Sequence, residues 1–448
     1  MSLRTSLLRT LENPNLSVDS RVEACCDLAK DFEDQGEYEE ARKALRDYWR
    51  RIGEQPKLSG LEPSIAAELL LRVGVLTGYV GSKNQIPDAQ ENAKNLITQS
   101  HTIYEARQNR KKIAEAQTEL ALIYWRTGEN NNARACLNDA LTLLSIDNEV
   151  KAKAVIRLAV VEFRTARHEK ALRILRSHAQ LFDRIQNHTL KGSYHDTLGN
   201  ALEDLSVLKK RPDYVDRALI EYAAASVHFE KAGHKFYLAA LENNLGMLYF
   251  RINRCDEAHE HLDRARHIFS NLKESGLVAQ VDETRACVFL RQGRFLEAER
   301  IAGLAVRNQE KTNRYGLIAE ALTTHAKALA RLERYGASLS AFRRAIDLYE
   351  QVDNMKRAAE VALAMVKEIG EHLAAPERGQ LLSGRGLGQD KVALEHHVIK
   401  LALEQTNGGI SDAARLLGMS WQGLAYALRT RHKDLLEKRK PARSRKRR

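Results

Sequence analysis

The sequence predicts an all-α protein, in which an array of helical hairpins is followed by a small helix-turn-helix domain. Small residues recur at regular intervals inside amphipathic stretches, which is typical of stacked helices. Only seven of the 448 residues are proline, and aromatic residues make up 6% of the chain. This composition does not favour several mixed α/β domains.

The N-terminal segment, residues 1–17, lacks the charged start and unbroken apolar stretch of a secretory signal. No apolar run reaches eighteen residues, because even residues 66–76 contain Glu68 and Arg72. The five cysteines are odd in number and form no CxxC pair, so they indicate neither a disulfide framework nor a zinc site. We therefore expect a soluble, cytoplasmic protein with reduced thiols.

Residues 18–375 contain about eight copies of one hairpin pattern. The first predicted helix of each copy carries a small residue, at Ala29, Gly74, Ala121, Ala159, Gly199, Gly246, Ala286 and Ala326. The second helix carries another, twelve positions later in six copies and nineteen later in two, at Ala41, Ala93, Ala133, Ala171, Ala218, Ala258, Ala298 and Ser338. Glycines at positions 36, 128 and 293 stand where the first helix must stop.

The pattern resembles the tetratricopeptide (TPR) repeat, most clearly in residues 244–249, NLGMLY, with Ala258 and in residues 120–124, LALIY, with Ala133. Stacked hairpins of this type form a right-handed superhelix whose groove holds a protein or peptide. Small positions 246, 286 and 326 lie 40 residues apart, so we expect helices longer than in the common repeat. The two nineteen-residue spacings predict one extra turn per helix, near residues 81–87 and 209–212.

An arginine follows the first small residue by five positions in five copies, at Arg126, Arg164, Arg251, Arg291 and Arg331. One interpretation is that each cation complements the carboxyl end of its own helix. The other is a ladder of partner-groove residues that grips an acidic segment. The sequence leaves both open.

Residues 376–389 are predicted to be a flexible linker, because Pro376 ends the helical pattern and glycines follow at four positions. The GRGLG stretch inside it is not a nucleotide loop, since a phosphate cradle requires a preceding strand. No metal site is predicted, because His259-Glu260-His261 lacks the HExxH spacing. Without a nucleophile elbow or P-loop, we expect no enzymatic activity and no cofactor.

Residues 390–436 predict a helix-turn-helix domain. Residues 410–417 read as a short helix, and Ser420 is an N-cap for a second one. The structural residues expected where the two helices cross closely are Ala414, Leu417, Gly418 and Leu424. A helical hairpin that merely packs on the repeats is the alternative interpretation.

The segment 413–419, AARLLGM, together with Leu424 resembles the helix-turn-helix of the factor-for-inversion-stimulation (Fis) family, over about residues 391–433. The resemblance implies DNA as a partner, and a homodimer formed with the help of helix 392–405. The second helix departs from the family where basic or hydroxyl residues are usual. A recognition helix reads base edges with exposed residues, expected here at Ser420, Trp421, Gln422, Ala425, Tyr426 and Arg429.

The last twenty residues hold eleven basic residues against two acidic ones, so a net +9 of the chain's +12 lies there. Residues 437–448 should form a disordered arm that binds DNA phosphates by releasing counterions. We assign phosphate contacts to Arg431, Lys433, Lys438, Arg439 and Lys440. A solubility tail or a nuclear localisation signal would have the same composition.

Together these features predict a sequence-specific, nucleoid-associated transcriptional regulator whose array senses or recruits a protein or peptide. The alternative is a TPR scaffold whose basic C-terminus binds nucleic acid non-specifically or contacts protein.

Overall fold

The computed structural model describes residues 3–146, 148–312, 314–369, 391–406, 408–417 and 419–437. The helices in these ranges are α1 (Leu3–Leu11), α2 (Val18–Asp34), α3 (Tyr38–Ala44), α4 (Pro63–Lys83), α5 (Ala89–Ala106), α6 (Arg110–Arg126), α7 (Asn130–Leu143), α8 (Glu149–Arg164), α9 (His168–Ser177), α10 (Ala179–Arg184), α11 (His188–Lys209), α12 (Asp213–Ala232), α13 (Lys235–Arg251), α14 (Cys255–Asn271), α15 (Ser275–Arg291), α16 (Phe295–Glu310), α17 (Tyr315–Arg331), α18 (Tyr335–Gln351), α19 (Met355–Ile369), α20 (Lys391–Gln405), α21 (Ile410–Leu416), α22 (Trp421–Thr430) and α23 (Lys433–Glu437).

The described chain contains no strand, and the predicted fold class is confirmed. Eight hairpins contain the paired small residues: α2/α3, α4/α5, α6/α7, α8/α9, α11/α12, α13/α14, α15/α16 and α17/α18. Nearly all of these small side chains are fully buried, as Ala133 and Ser338 illustrate with no exposed surface. Small residues at these positions let neighbouring helices approach closely.

The turn inside six hairpins uses a residue in the left-handed backbone region, which ends the first helix. This residue follows the first small position by seven, at Gly36, Gly128, Ala166, Asn253, Gly293 and Glu333. Three of these six turn residues are the glycines that the sequence analysis singled out, and the other three carry side chains.

The two hairpins with nineteen-residue spacing have the longest first helices among the described hairpins. Helices α4 and α11 have 21 and 22 residues, against 17 in α6, α13, α15 and α17. Each has a glycine as its small residue because the partner helix leaves no room for a Cβ. An atom added at Gly74 would lie 2.6 Å from Ile97, and one at Gly199 would lie 2.5 Å from the Tyr222 ring.

Glu162 of α8 follows the small residue Ala159 by three positions, where most other copies have an aromatic or apolar residue, and its surroundings explain the difference. The side chain is completely buried and is paired with Arg134 at 3.0 Å and with Lys170 at 2.8 Å. Arg167 lies 3.5 Å from its second carboxylate oxygen. A buried carboxylate surrounded by cations therefore ties α7, α8 and α9 together here.

Contacts divide the chain into two units, residues 1–248 and 249–448. In the first unit, α4 is the one described helix long and apolar enough to cross a membrane by length and composition. Its most apolar window is 78% buried. This is how a core helix of a repeat array behaves.

In the second unit, the last array helix, α19, packs against α20. Met365 and Ile369 of α19 belong to the same hydrophobic cluster as Val398, Ile399 and Ala402 of α20. The predicted linker at 376–389 lies outside the described residues. The helices flanking that segment share one core.

Candidate functional site

The helix-turn-helix is built by local capping interactions. Gly408 has a φ of +83° and donates its N–H to the Leu403 carbonyl at 2.7 Å, which closes α20. The Ser420 hydroxyl accepts the N–H of Gly423 at 3.0 Å, so Ser420 is the N-cap of α22. Between the helices, the Met419 N–H binds the Ala414 carbonyl at 2.9 Å. These bonds fix where α22 begins.

The inner faces of the two short helices are buried. Leu417 and Leu424 have no exposed surface, and Ala414 is 2% exposed. Ala427 and Leu428 continue the same apolar face of α22. Gly418, predicted to permit the close crossing, lies outside the described residues.

The opposite face of α22 is open to solvent. Trp421 is 51% exposed and Tyr426 is 66% exposed, although aromatic side chains of this size are usually covered. Gln422 and Arg429 are exposed on the same helix. Helical geometry places Gln422, Tyr426 and Arg429 on this face, whereas Trp421 is exposed at the first residue of α22, in line with Leu428.

Ala425 requires a correction, because the sequence places it among the exposed base-reading residues. In the structure it is 7% exposed. Successive residues of a helix are 100° apart, so position 425 lies at the edge of the stripe formed by Leu424 and Leu428. Its single methyl group is therefore mostly covered, in contrast to the exposure that was expected.

Arg431 is engaged within the protein. Its guanidinium donates to Glu395 of α20 at 2.8 Å, and His432 lies 3.4 Å from the other oxygen of that carboxylate. Glu395 is 4% exposed and His432 is 1% exposed, so this buried cluster anchors the end of α22 to α20. A phosphate contact by Arg431 would have to compete with Glu395.

Of the remaining basic candidates, the structure describes only Lys433. Lys433 is exposed at the start of α23. Lys438, Arg439 and Lys440 lie outside the described residues, and their assignment remains a prediction. Nearby, burial lowers the pKa of His396, although Asp434, 3.4 Å away, opposes this shift.

The five array arginines each end the first helix of a hairpin, where a cation complements the helix carboxyl end. Arg126 stacks on Tyr79 at 4.2 Å, and Arg291 stacks on Phe250 at 3.8 Å. Arg331 pairs with Glu368 at 3.0 Å. Arg164 and Arg251 are exposed. The two residues Arg126 and Arg164 belong to the first unit and the other three to the second.

Sequence reasoning missed a buried charge cluster in the first unit. Arg72 is 1% exposed, and its guanidinium contacts Glu33 at 2.8 Å, Glu115 at 2.8 Å and Glu68 at 3.3 Å. These carboxylates come from α2, α6 and α4. The signal was visible as Glu68 and Arg72 interrupting the most apolar stretch of the sequence.

Family models match three segments of the chain. Residues 393–430 match "Bacterial regulatory protein, Fis family", and residues 114–143 and 239–269 match two models described as "Tetratricopeptide repeat". These segments correspond to α20–α22, to α6/α7 and to most of α13/α14. No curated protein matches the chain.

Solved structures with a similar fold share little sequence with this chain. A Rap protein complexed with Competence and Sporulation Factor is 12% identical, with a TM-score of 0.52 over 93% of this chain and 98% of that one. The apo form of RapI is 12% identical, with a TM-score of 0.50 over 80% and 98%. The human IFIT1 dimer with PPP-AAAA is 14% identical, with a TM-score of 0.50 over 81% and 76%.

At these identities the structural likenesses concern the fold alone. The family matches fall on the same segments as the hairpins and the capped helices described above. The chain therefore contains tetratricopeptide repeats and, at its C-terminus, a helix-turn-helix domain that resembles the Fis family.

Proposed function

We propose that this protein is a sequence-specific DNA-binding regulator of transcription, without catalytic activity, whose array senses or recruits a protein or peptide. The observation that carries the proposal is the solvent-exposed face of α22, where Gln422 and Arg429 lie beside the exposed Tyr426 ring. Glutamine pairs with adenine and arginine with guanine or phosphate in the major groove. Such a regulator would act in the cytoplasm, on the nucleoid.

The runner-up is a TPR scaffold whose basic C-terminus binds nucleic acid without regard to sequence. The packing of α20 on α19, through Val398, Ile399 and Ala402, favours this alternative because it fixes the C-terminal domain to the array. A hairpin that only packed on the repeats would not need an exposed Trp421 and Tyr426.

Binding to a selected duplex and to random duplexes, titrated with salt, separates the two functions. Both functions depend on attraction between basic residues and DNA phosphates, so the affinity for DNA falls with salt in either case. Only a regulator binds its selected site about 10³-fold or more tightly than random DNA. Equal affinity for both duplexes at every salt concentration would favour the scaffold.

A second copy of the protein is expected on the DNA, because one short helix-turn-helix contacts few base pairs. Val398, Ile399, Ala402 and Leu403 of α20 are buried within the chain, and Leu401 is half-buried against the same core. Two copies should therefore be brought together by the repeats or by adjacent half-sites about 34 Å apart. Sedimentation of the complex tests this, and a monomer on a site without repeated half-sites would contradict it.

The array arginines give a further prediction. If they grip an acidic segment, replacing Arg126, Arg164, Arg251, Arg291 and Arg331 with glutamine should abolish capture of a labelled oligoglutamate peptide. Thermal stability should change little, since four of the five side chains are exposed and an exposed charge contributes about 0–1 kcal/mol. A collapse of the melting temperature would identify these arginines as structural, in agreement with their stacking and pairing.

A further inference from the structure

The first unit contains a partly open cavity of about 220 Å³ that the proposed function does not use. Its walls come from helices far apart in sequence, since α2, α4, α6, α8, α11 and α13 all contribute side chains. We call this cavity the chamber. One part of its wall is aromatic and aliphatic, with Tyr79, Trp125, Tyr237 and Val160, and another part is charged.

One side of the chamber is formed where the first hairpin contacts residues about 150 to 200 positions later in the chain. The Thr189 hydroxyl donates to the Asp34 carbonyl at 3.4 Å. Gly36, with a φ of +76°, lies so close to His234 that an added Cβ would be 2.9 Å from the imidazole ring. The His234 ring in turn stacks on Tyr237 at 4.0 Å. This part of the wall is therefore formed by closely packed residues and is not a gap between loosely packed repeats.

One residue of the chamber wall carries a buried acceptor without a partner. Glu33 lines the chamber, and its side chain is 8% exposed. One carboxylate oxygen, Oε2, accepts a hydrogen bond from Arg72 at 2.8 Å, whereas the buried Oε1 has no hydrogen-bond partner. A buried carboxylate oxygen without a donor is costly, and a ligand ammonium would supply that donor.

A cation with unused donors lies on the charged wall as well. The Lys153 ammonium is 3.6 Å from Glu119 and 3.8 Å from Asp34, which is longer than a hydrogen bond. Arg157, also in the wall, already donates to Glu119 at 2.8 Å and to the Thr118 carbonyl at 2.6 Å. Lys153 therefore keeps donors for an incoming carboxylate.

We propose that the chamber binds a free amino acid with an apolar or aromatic side chain. The ammonium group binds Glu33, with Asp34 beside it, the carboxylate binds Lys153, and the side chain packs against Trp125 and Val160. The volume fits this size, because a cavity of about 150 Å³ accepts benzene and drug-sized ligands occupy about 300 Å³ or more. Binding of the amino acid does not depend on DNA binding, so the two proposals can fail separately.

Isothermal titration of the full chain with L-leucine, L-methionine and L-phenylalanine tests the site. At least one of the three should bind. N-acetyl-L-phenylalanine lacks the ammonium and L-phenylalaninamide lacks the carboxylate, so each should bind about tenfold or more weakly than L-phenylalanine. Blocked derivatives that bind as well as the parent, or no binding by any of the three amino acids, would overturn the proposal.

Variants of the chamber residues test whether the amino acid binds there. Lys153→Gln and Glu33→Gln should each weaken binding by about tenfold or more, because each removes one charged partner. Lys111→Gln, which changes an exposed lysine of the same unit, is the matched control and should leave the affinity unchanged. Val160→Phe fills the chamber without removing a charge and should abolish binding while the melting temperature is retained. Unchanged affinity in Val160→Phe would place the ligand elsewhere and contradict the assignment.

Discussion

Deletion of residues 438–448 is expected to weaken binding to every DNA sequence alike, because it removes eight of the eleven basic residues in the last twenty. For every phosphate that the shortened protein no longer neutralises, the slope of log affinity against log salt should fall by about 0.9. If all eight residues bind phosphates, the loss of affinity at low salt spans several orders of magnitude. Sequence preference should survive, since phosphate contacts carry no base information.

Substitutions on α22 should have the opposite effect. Gln422→Ala and Arg429→Ala should each cost about 1–3 kcal/mol on the preferred site and little on random DNA. Trp421 is half-exposed, so its replacement by alanine should also reduce binding to the preferred site if the ring packs against a thymine methyl group. Fluorescence anisotropy with both duplexes over a range of salt concentrations measures these effects.

Arg46→Ala is a matched control for Arg429→Ala, because its side chain is 80% exposed in the first unit. It should alter neither affinity nor preference. The assignment of separate roles fails if deleting the arm changes sequence preference, or if the α22 variants lower the affinity for all sequences equally.

The hairpin array could be predicted because close helix crossings restrict the residue type at specific positions. Gly74 and Gly199 mark crossings where a Cβ would overlap Ile97 or Tyr222, so the constraint is visible in the sequence itself. The turns were only partly visible, because the left-handed residue need not be glycine. Ala166, for example, adopts a φ of +60° and carries no sequence signal for a turn.

The site was less accessible to prediction, because side-chain partners depend on tertiary contacts. Helical periodicity places Arg431 on an accessible end of α22, but pairing with Glu395 requires the packing of α20. The chamber could not be predicted at all. Glu33, Lys153 and His234 meet only when hairpins distant in sequence are brought together.

Arg72 gives the largest expected effect on stability. Arg72→Met should lower the free energy of unfolding by about 3–5 kcal/mol at neutral pH, because breaking a buried ion cluster leaves uncompensated charges. Urea denaturation measures the loss. Arg46→Met, which removes an arginine whose side chain is 80% exposed, is the control and should cost about 1 kcal/mol or less.

The pH dependence of Arg72→Met distinguishes a loss of charge pairing from a loss of packing. Burial alone would raise the pKa of Glu115 and Glu68, but Arg72 together with Lys112 outweighs it and holds both pKa values below their ordinary range. In the native protein these two groups therefore contribute stability above their unfolded pKa, and that contribution is lost as pH falls.

Without Arg72 the burial of these carboxyls is opposed only by the neighbouring lysines Lys30 and Lys112, so their pKa values should rise. Burial already raises the pKa of Glu33 to about 7 even with Arg72 present. The variant should then bind protons on folding and become more stable as pH falls from 8 towards about 5. This pH dependence of stability is opposite to the one that Glu115 and Glu68 give the native protein. Adding Glu68→Gln and Glu115→Gln to Arg72→Met should recover stability at neutral pH and flatten this dependence. A loss that is the same at all pH values and is not recovered by the glutamines would mean that Arg72 acts through packing of its side chain.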